Sequence, residues 1–139
     1  MFEEALFNYI ESNFVVPNFS LNFGYGEIEE GTQAPYIIQW NLDTDGTRRT
    51  LNNKDDFTDG SAFIQWTLYC SNPLNATYLQ QQLFTFINAI RTLTYDGITY
   101  QVETNQHTSS PGSKDANTDL WAVIVAQDIT YHKVWKGIS

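Results

Sequence analysis

Phe2, Ala5, Leu6, Tyr9, Ile10 and Phe14 recur at three- and four-residue steps, with Glu3, Glu4, Asn8, Glu11 and Ser12 on the opposite side. The spacing predicts an amphipathic helix from Met1 to Phe14, ended before Pro17. The period then changes to two: Phe19, Leu21, Phe23 and Tyr25 alternate with small or polar residues, the pattern of a half-buried strand. A second strand is predicted from Tyr36 to Leu42 and a third from Ser61 to Cys70, with Ala62, Ile64, Trp66, Leu68 and Cys70 on one face. Phe63, Gln65, Thr67 and Tyr69 make its other face.

Ser71-Asn72-Pro73 is a helix start, a capping side chain followed by proline at the first helical position. Leu79, Leu83, Phe86, Ile87 and Ile90 then form one apolar stripe, with Gln80, Gln81, Asn88 and Arg91 outside it. Asp96-Gly97 marks a turn, Ile98 to Val102 alternates as a fourth strand, and Leu120 to Tyr131 reads as a fifth, central one. Two long polar segments, Leu42 to Gly60 and Thr104 to Asp119, separate strand-like runs and read as loops. Loops of that length in a small domain usually make contacts of their own, and such a loop is expected to be removable without loss of the fold. The element order predicts one α+β domain over residues 1–139, a mainly antiparallel sheet with both helices packed on one face.

Charge narrows the function classes. Sixteen acidic residues against seven basic ones give a formal net charge of −9, the wrong sign for gripping a nucleic acid backbone. No apolar run approaches the roughly 20 residues that span a bilayer, and the acidic first helix lacks a basic leader, so a soluble, intracellular protein is expected. One cysteine excludes an internal disulfide, and with two histidines it makes no zinc set, so neither metal nor cofactor is expected. Cys70 falls on the apolar face of its strand, where a thiol is protonated and inert. Asn41 to Asn52 opens like a calcium loop but has Asn52 where the bidentate Glu is needed, and a turn at Asp45-Gly46 accounts for it. Asp55, Asp56 and Asp59 read as a solvated cluster. The aromatic tail Tyr131, Val134, Trp135 and Ile138 requires cover, from its own core or from a neighbouring subunit.

Several features together resemble the tail terminator, or tail-completion, proteins of long-tailed bacteriophages. They are the acidic first helix, the run Gly31-Thr32-Gln33-Ala34-Pro35-Tyr36-Ile37-Ile38, the strand-to-helix unit Phe63 to Arg91 and the closing strand that ends Ile129-Thr130-Tyr131. The resemblance covers nearly the whole chain and implies a structural subunit without an active site. It implies a homohexameric ring that caps the tail tube protein, stops tube growth and offers a joining surface to a head-tail connector protein. The protein would then reside in the virion tail after assembly in the host cytoplasm. DNA would pass through such a ring without specific binding, and an acidic lumen keeps a polyanion off the wall. Arg48, Arg49 and Lys54 in one polar segment, His107 and Lys114 in the other, and Trp135 in the tail are the expected interface residues. The alternatives are another phage neck or tube component, or a small ligand-binding module or enzyme.

Overall fold

The computed structural model describes residues 2–45 and 59–134. Its elements run α1 (Phe2–Asn13), β1 (Asn22–Tyr25), β2 (Tyr36–Asp45), β3 (Asp59–Cys70), α2 (Pro73–Asn88), β4 (Thr92–Tyr95), β5 (Ile98–Asp115) and β6 (Leu120–Val134). The strands form one sheet in the order β1-β2-β3-β6-β5-β4, antiparallel except for the parallel β1–β2 pair. The fold is α+β, and both helices lie on one face of the sheet.

That face carries the core. Ala62, Ile64, Trp66, Leu68 and Cys70 on β3 and Val123, Val125 and Ile129 on β6 meet Leu6 and Ile10 of α1 and Ala76, Leu79, Leu83 and Ile87 of α2. Helix α2 starts as its sequence dictates: Asn72 Oδ1 accepts the Asn75 N–H at 2.8 Å, with Pro73 at the first helical position. Phe86 is half-buried and packs between the helices, its ring 5.2 Å from Phe14 and 5.8 Å from Tyr9. Leu83→Ala is therefore expected to cost about 2–5 kcal/mol, Phe86→Ala less, and Gln81→Ala, on the exposed side, almost nothing. Thermal melts of the three variants check this order, and equal melting temperatures would contradict it.

The core is tied together by one polar chain. Gln39 of β2, 1% exposed, accepts from Trp66 Nε1 through Oε1 at 3.0 Å and donates from Nε2 to the carbonyl of Glu3 at 3.0 Å. Both ends of the amide are satisfied, which is what allows a glutamine inside an apolar layer. It also fixes the first turn of α1 to the sheet. Glu3 is consequently buried, at 2% exposure, rather than on the polar side of α1 that its spacing indicates. Phe2 stacks on Tyr131 at 4.1 Å and meets Tyr100 edge-on at 5.4 Å, so Tyr131 of the aromatic tail docks on its own core. A side chain at Gly60 would run into the Tyr131 ring, so β3 must carry glycine opposite it. Trp135 and Ile138 lie outside the described residues.

Three expectations are corrected. The polar segment Thr104 to Asp119 is not a loop: β5 continues to Asp115, pairs with β6 along its length and turns only at Ala116–Asp119. Side chains of α2 hold it there. Gln80 Nε2 donates to the carbonyls of Ser110 at 2.9 Å and Ile124 at 2.8 Å, and Thr104 Oγ1 donates to Asn88 Oδ1 at 2.7 Å. Pro111 sits in the register shift between Ser110 and Ser113, where its missing N–H breaks no regular ladder bond. The second polar segment is shorter than expected, because β2 extends to Asp45 and β3 begins at Asp59. The short strand β4 precedes the Asp96-Gly97 turn, whose two residues have φ of +54° and +79°, the left-handed pair that a tight hairpin requires.

Candidate functional site

Among the described residues, the opposite face of the sheet carries no helix. Here Tyr36, Ile38 and Trp40 of β2 lie beside Phe63, Gln65, Thr67 and Tyr69 of β3, followed by Ala122, Ile124 and Ala126 of β6. Alternation puts these residues on this side because their neighbours in sequence, Ile37, Gln39, Ile64, Trp66 and Leu68, enter the core. Tyr36 stacks on its cross-strand partner Tyr69 with centroids 5.0 Å apart. Gln65 Nε2 donates to Thr67 Oγ1 at 3.1 Å. Burial and then the nearby Asp115 carboxylate raise the phenols of both Tyr36 and Tyr69 above their ordinary value.

Mutual shielding along the strands covers Tyr36, Ile38 and Ala126, but not the β2–β3 end of the face. Trp40 and Phe63 are each 37% exposed, and Leu42, pushed out by the register shift between Asn41 and Asp43, is 49% exposed. A second uncovered apolar group stands on the helix side. Leu74 is 83% and Tyr78 46% exposed, and Tyr78 stacks loosely on Phe19 at 6.1 Å. Between Ser61 and Ile90, which includes β3 after its first two residues and all of α2, the chain has no Asp, Glu, Lys or Arg. On a body of net charge −9 this is a marked depletion of charge, the compositional sign of an interface centre.

Of the interface residues expected from the sequence, His107 and Lys114 lie among the described residues. Arg48, Arg49, Lys54 and Trp135 lie outside the described residues, as do Asp55, Asp56 and the remainder of the calcium-like segment from Gly46. His107 is on β5 opposite Gln127, with its side chain outside the described residues, and His132 is exposed on β6. Lys114 forms an ion pair with Asp119 at 3.1 Å across the hairpin turn, both side chains exposed, a pairing that contributes little to stability. Cys70 is 1% exposed and burial pushes its thiol up to about 11. Among the described residues no three of His, Cys, Asp and Glu gather as a metal would need. No helix among them is long and apolar enough to cross a membrane.

Trp40, Phe63, Leu74 and Tyr78 were legible only indirectly in the sequence. The second face of β3 is itself half aromatic, and the uncharged run that includes it was the available signal. Which of two apolar faces the helices would leave bare is not written in alternation alone. No family model and no curated protein matches the chain. Solved structures similar to it include one at 11% identity, over 96% of this chain and 91% of that one, with a TM-score of 0.48.

Proposed function

We propose that the protein is a structural subunit of the phage tail terminator kind, assembling as a ring on the end of a tail tube, stopping its growth and presenting a joining surface to the head. The observation that carries this reading is the apolar group Trp40, Phe63 and Leu42, exposed on the sheet face opposite the helices. A ring subunit contacts two neighbours through two different patches, and apolar side chains exposed on one face are what such a contact covers. The remaining acidity suits a lumen through which DNA passes without adhering. The resemblance of the chain to tail terminators supplies the tube and the head as partners.

At low salt the charge of −9 opposes self-association, so the isolated protein is expected to be monomeric or weakly associated and to close its ring on the tube end. Electron micrographs of the purified protein alone and mixed with tail tubes test this. Rings at tube ends and tubes of limited length are the expected result. Long tubes built from this protein alone would make it a tube subunit instead, and tubes that grow past it undecorated would reject the reading.

A further inference from the structure

We infer that the helix-free sheet face around Trp40 and Phe63 is a docking surface for a basic segment of another protein, one that presents arginine or lysine beside an apolar side chain. This deepens the ring reading by naming the chemistry of a neighbour, and rests on it only for which protein that neighbour is. Phe63 stands in one row of the sheet between two carboxylate residues, since its register partners are Asp43 on β2 and Asp128 on β6. Partners directly opposite in a sheet share a face, with Cβ atoms about 4.5–5.5 Å apart. The next row is acidic as well: Ser61 lies between Asp45 and Thr130, and Thr130 is opposite the exposed Glu103. Trp40, opposite Gln65, borders the Phe63 row on its other side.

Charge selects the partner. No described lysine or arginine lies on this face: Lys114 and Lys133 are registered against Trp121 and Tyr100, one step out of phase with it, and Arg91 donates to the carbonyls of Asn88 and Ile90. Among the described residues the rings and the acidic positions therefore share a surface with no Lys or Arg of their own chain. A guanidinium or ammonium over Trp40 or Phe63 meets the negative face of the ring, and within reach of a carboxylate it also makes a charge-assisted hydrogen bond. Arginine does both at once, because its plane stacks while its edge donates. An apolar side chain beside it covers Leu42, 49% exposed. Nucleic acid is repelled by the same carboxylates, and a second copy of this chain brings a net charge of −9 to a face that is already acidic.

A fluorescent peptide that alternates arginine and leucine tests the surface, with two control peptides, one carrying glutamine for arginine and one carrying glycine for leucine. Fluorescence anisotropy with the full chain is expected to show saturable binding at low salt that weakens as salt rises, and loss of most of that binding with either control. Asp128→Asn is expected to weaken binding on the order of tenfold, and Trp40→Ala at least about threefold. Glu4→Gln with Glu11→Gln removes more charge, from exposed positions on α1, and is expected to leave binding unchanged. Melting curves show that the variants fold. Absence of binding overturns the inference, and so does a loss that follows net charge wherever it is removed, or a glycine control that binds equally well. An Arg48→Ala/Arg49→Ala protein that binds the peptide more tightly than wild type makes the chain's own arginines the occupant and overturns it. Wild type that self-associates in sedimentation where Asp128→Asn does not makes a second copy the occupant, with the same consequence. A protein that caps tubes and ignores the peptide keeps the terminator reading and loses this surface. One that binds the peptide as expected and never meets tubes keeps the surface and loses that reading.

Discussion

Trp66→Ala is expected to lower the stability of the fold by about 3–5 kcal/mol from the lost transfer and the cavity alone, with a further cost from the polar chain it breaks. Trp66 is 1% exposed, at the centre of the helix-covered face between Gln39 on β2 and Val125 on β6. Its indole N–H is the donor to Gln39 Oε1 at 3.0 Å, and the same amide holds the Glu3 carbonyl of α1. Removing the donor leaves a buried carbonyl oxygen with no partner, a penalty of about 1–3 kcal/mol. Trp66→Phe separates the two contributions, because it keeps most of the ring volume and loses only the N–H. Denaturant unfolding of wild type, Trp66→Phe and Trp66→Ala gives the two differences. A Trp66→Phe variant as stable as wild type would show that the Gln39 oxygen finds another donor.

Shortening the β5–β6 hairpin by replacing Ser109 to Asn117 with a tight turn is expected to destabilise the fold by at least about 3 kcal/mol, from several ladder bonds at roughly 0.5–1.5 kcal/mol each and the packing lost with them. Ser109, Ser110, Ser113, Lys114 and Asp115 are registered against Val125, Ile124, Ala122, Trp121 and Leu120. Their loss strips one edge from the apolar half of β6 and removes the Ser110 carbonyl that Gln80 bonds. The segment is thus a structural strand whose composition is that of a loop. A one-residue insertion at Asn117, in the exposed turn, is the control and should be tolerated. Thermal melts of both decide the matter. A shortened protein that melts with wild type would return the segment to the status of a dispensable loop.

The hairpin also shows where sequence reading stops. Strand β5 past Val102 has no hydrophobic alternation, being Glu, Thr, Asn, Gln, His, Ser, Pro, Gly, Lys and Asp, so no periodic signal marks it. It is a strand because β6 needs a partner on that side and because Gln80 and Asn88 of α2 reach across to its backbone and to Thr104. Pairing and helix cover overrode local propensity. The strand β4 was closer to legible, since Asp96-Gly97 with both φ values positive is a two-residue hairpin turn, and such a turn implies a strand before it as well as after it. Glu3 was misplaced because helical phase gives an angle around the helix and not the neighbour: Gln39 draws that turn of α1 into the core.

The sequence by itself determined the elements whose own residues pay the cost of ordering: α1 through its apolar stripe, α2 through Asn72 and Pro73 and its Leu79–Leu83–Ile87 line, β3 and β6 through their apolar runs. It also determined the class of the fold, since two one-sided helices and a set of alternating strands leave one economical way to bury both stripes. Tertiary structure alone decided that β1 runs parallel to β2, that a polar segment is the longest strand, and that the helices choose the Trp66 side of β3 and leave Trp40 and Phe63 in water. These are choices between faces, partners and directions. A local pattern is the same for either choice, and only the sum of contacts made across the sheet separates them.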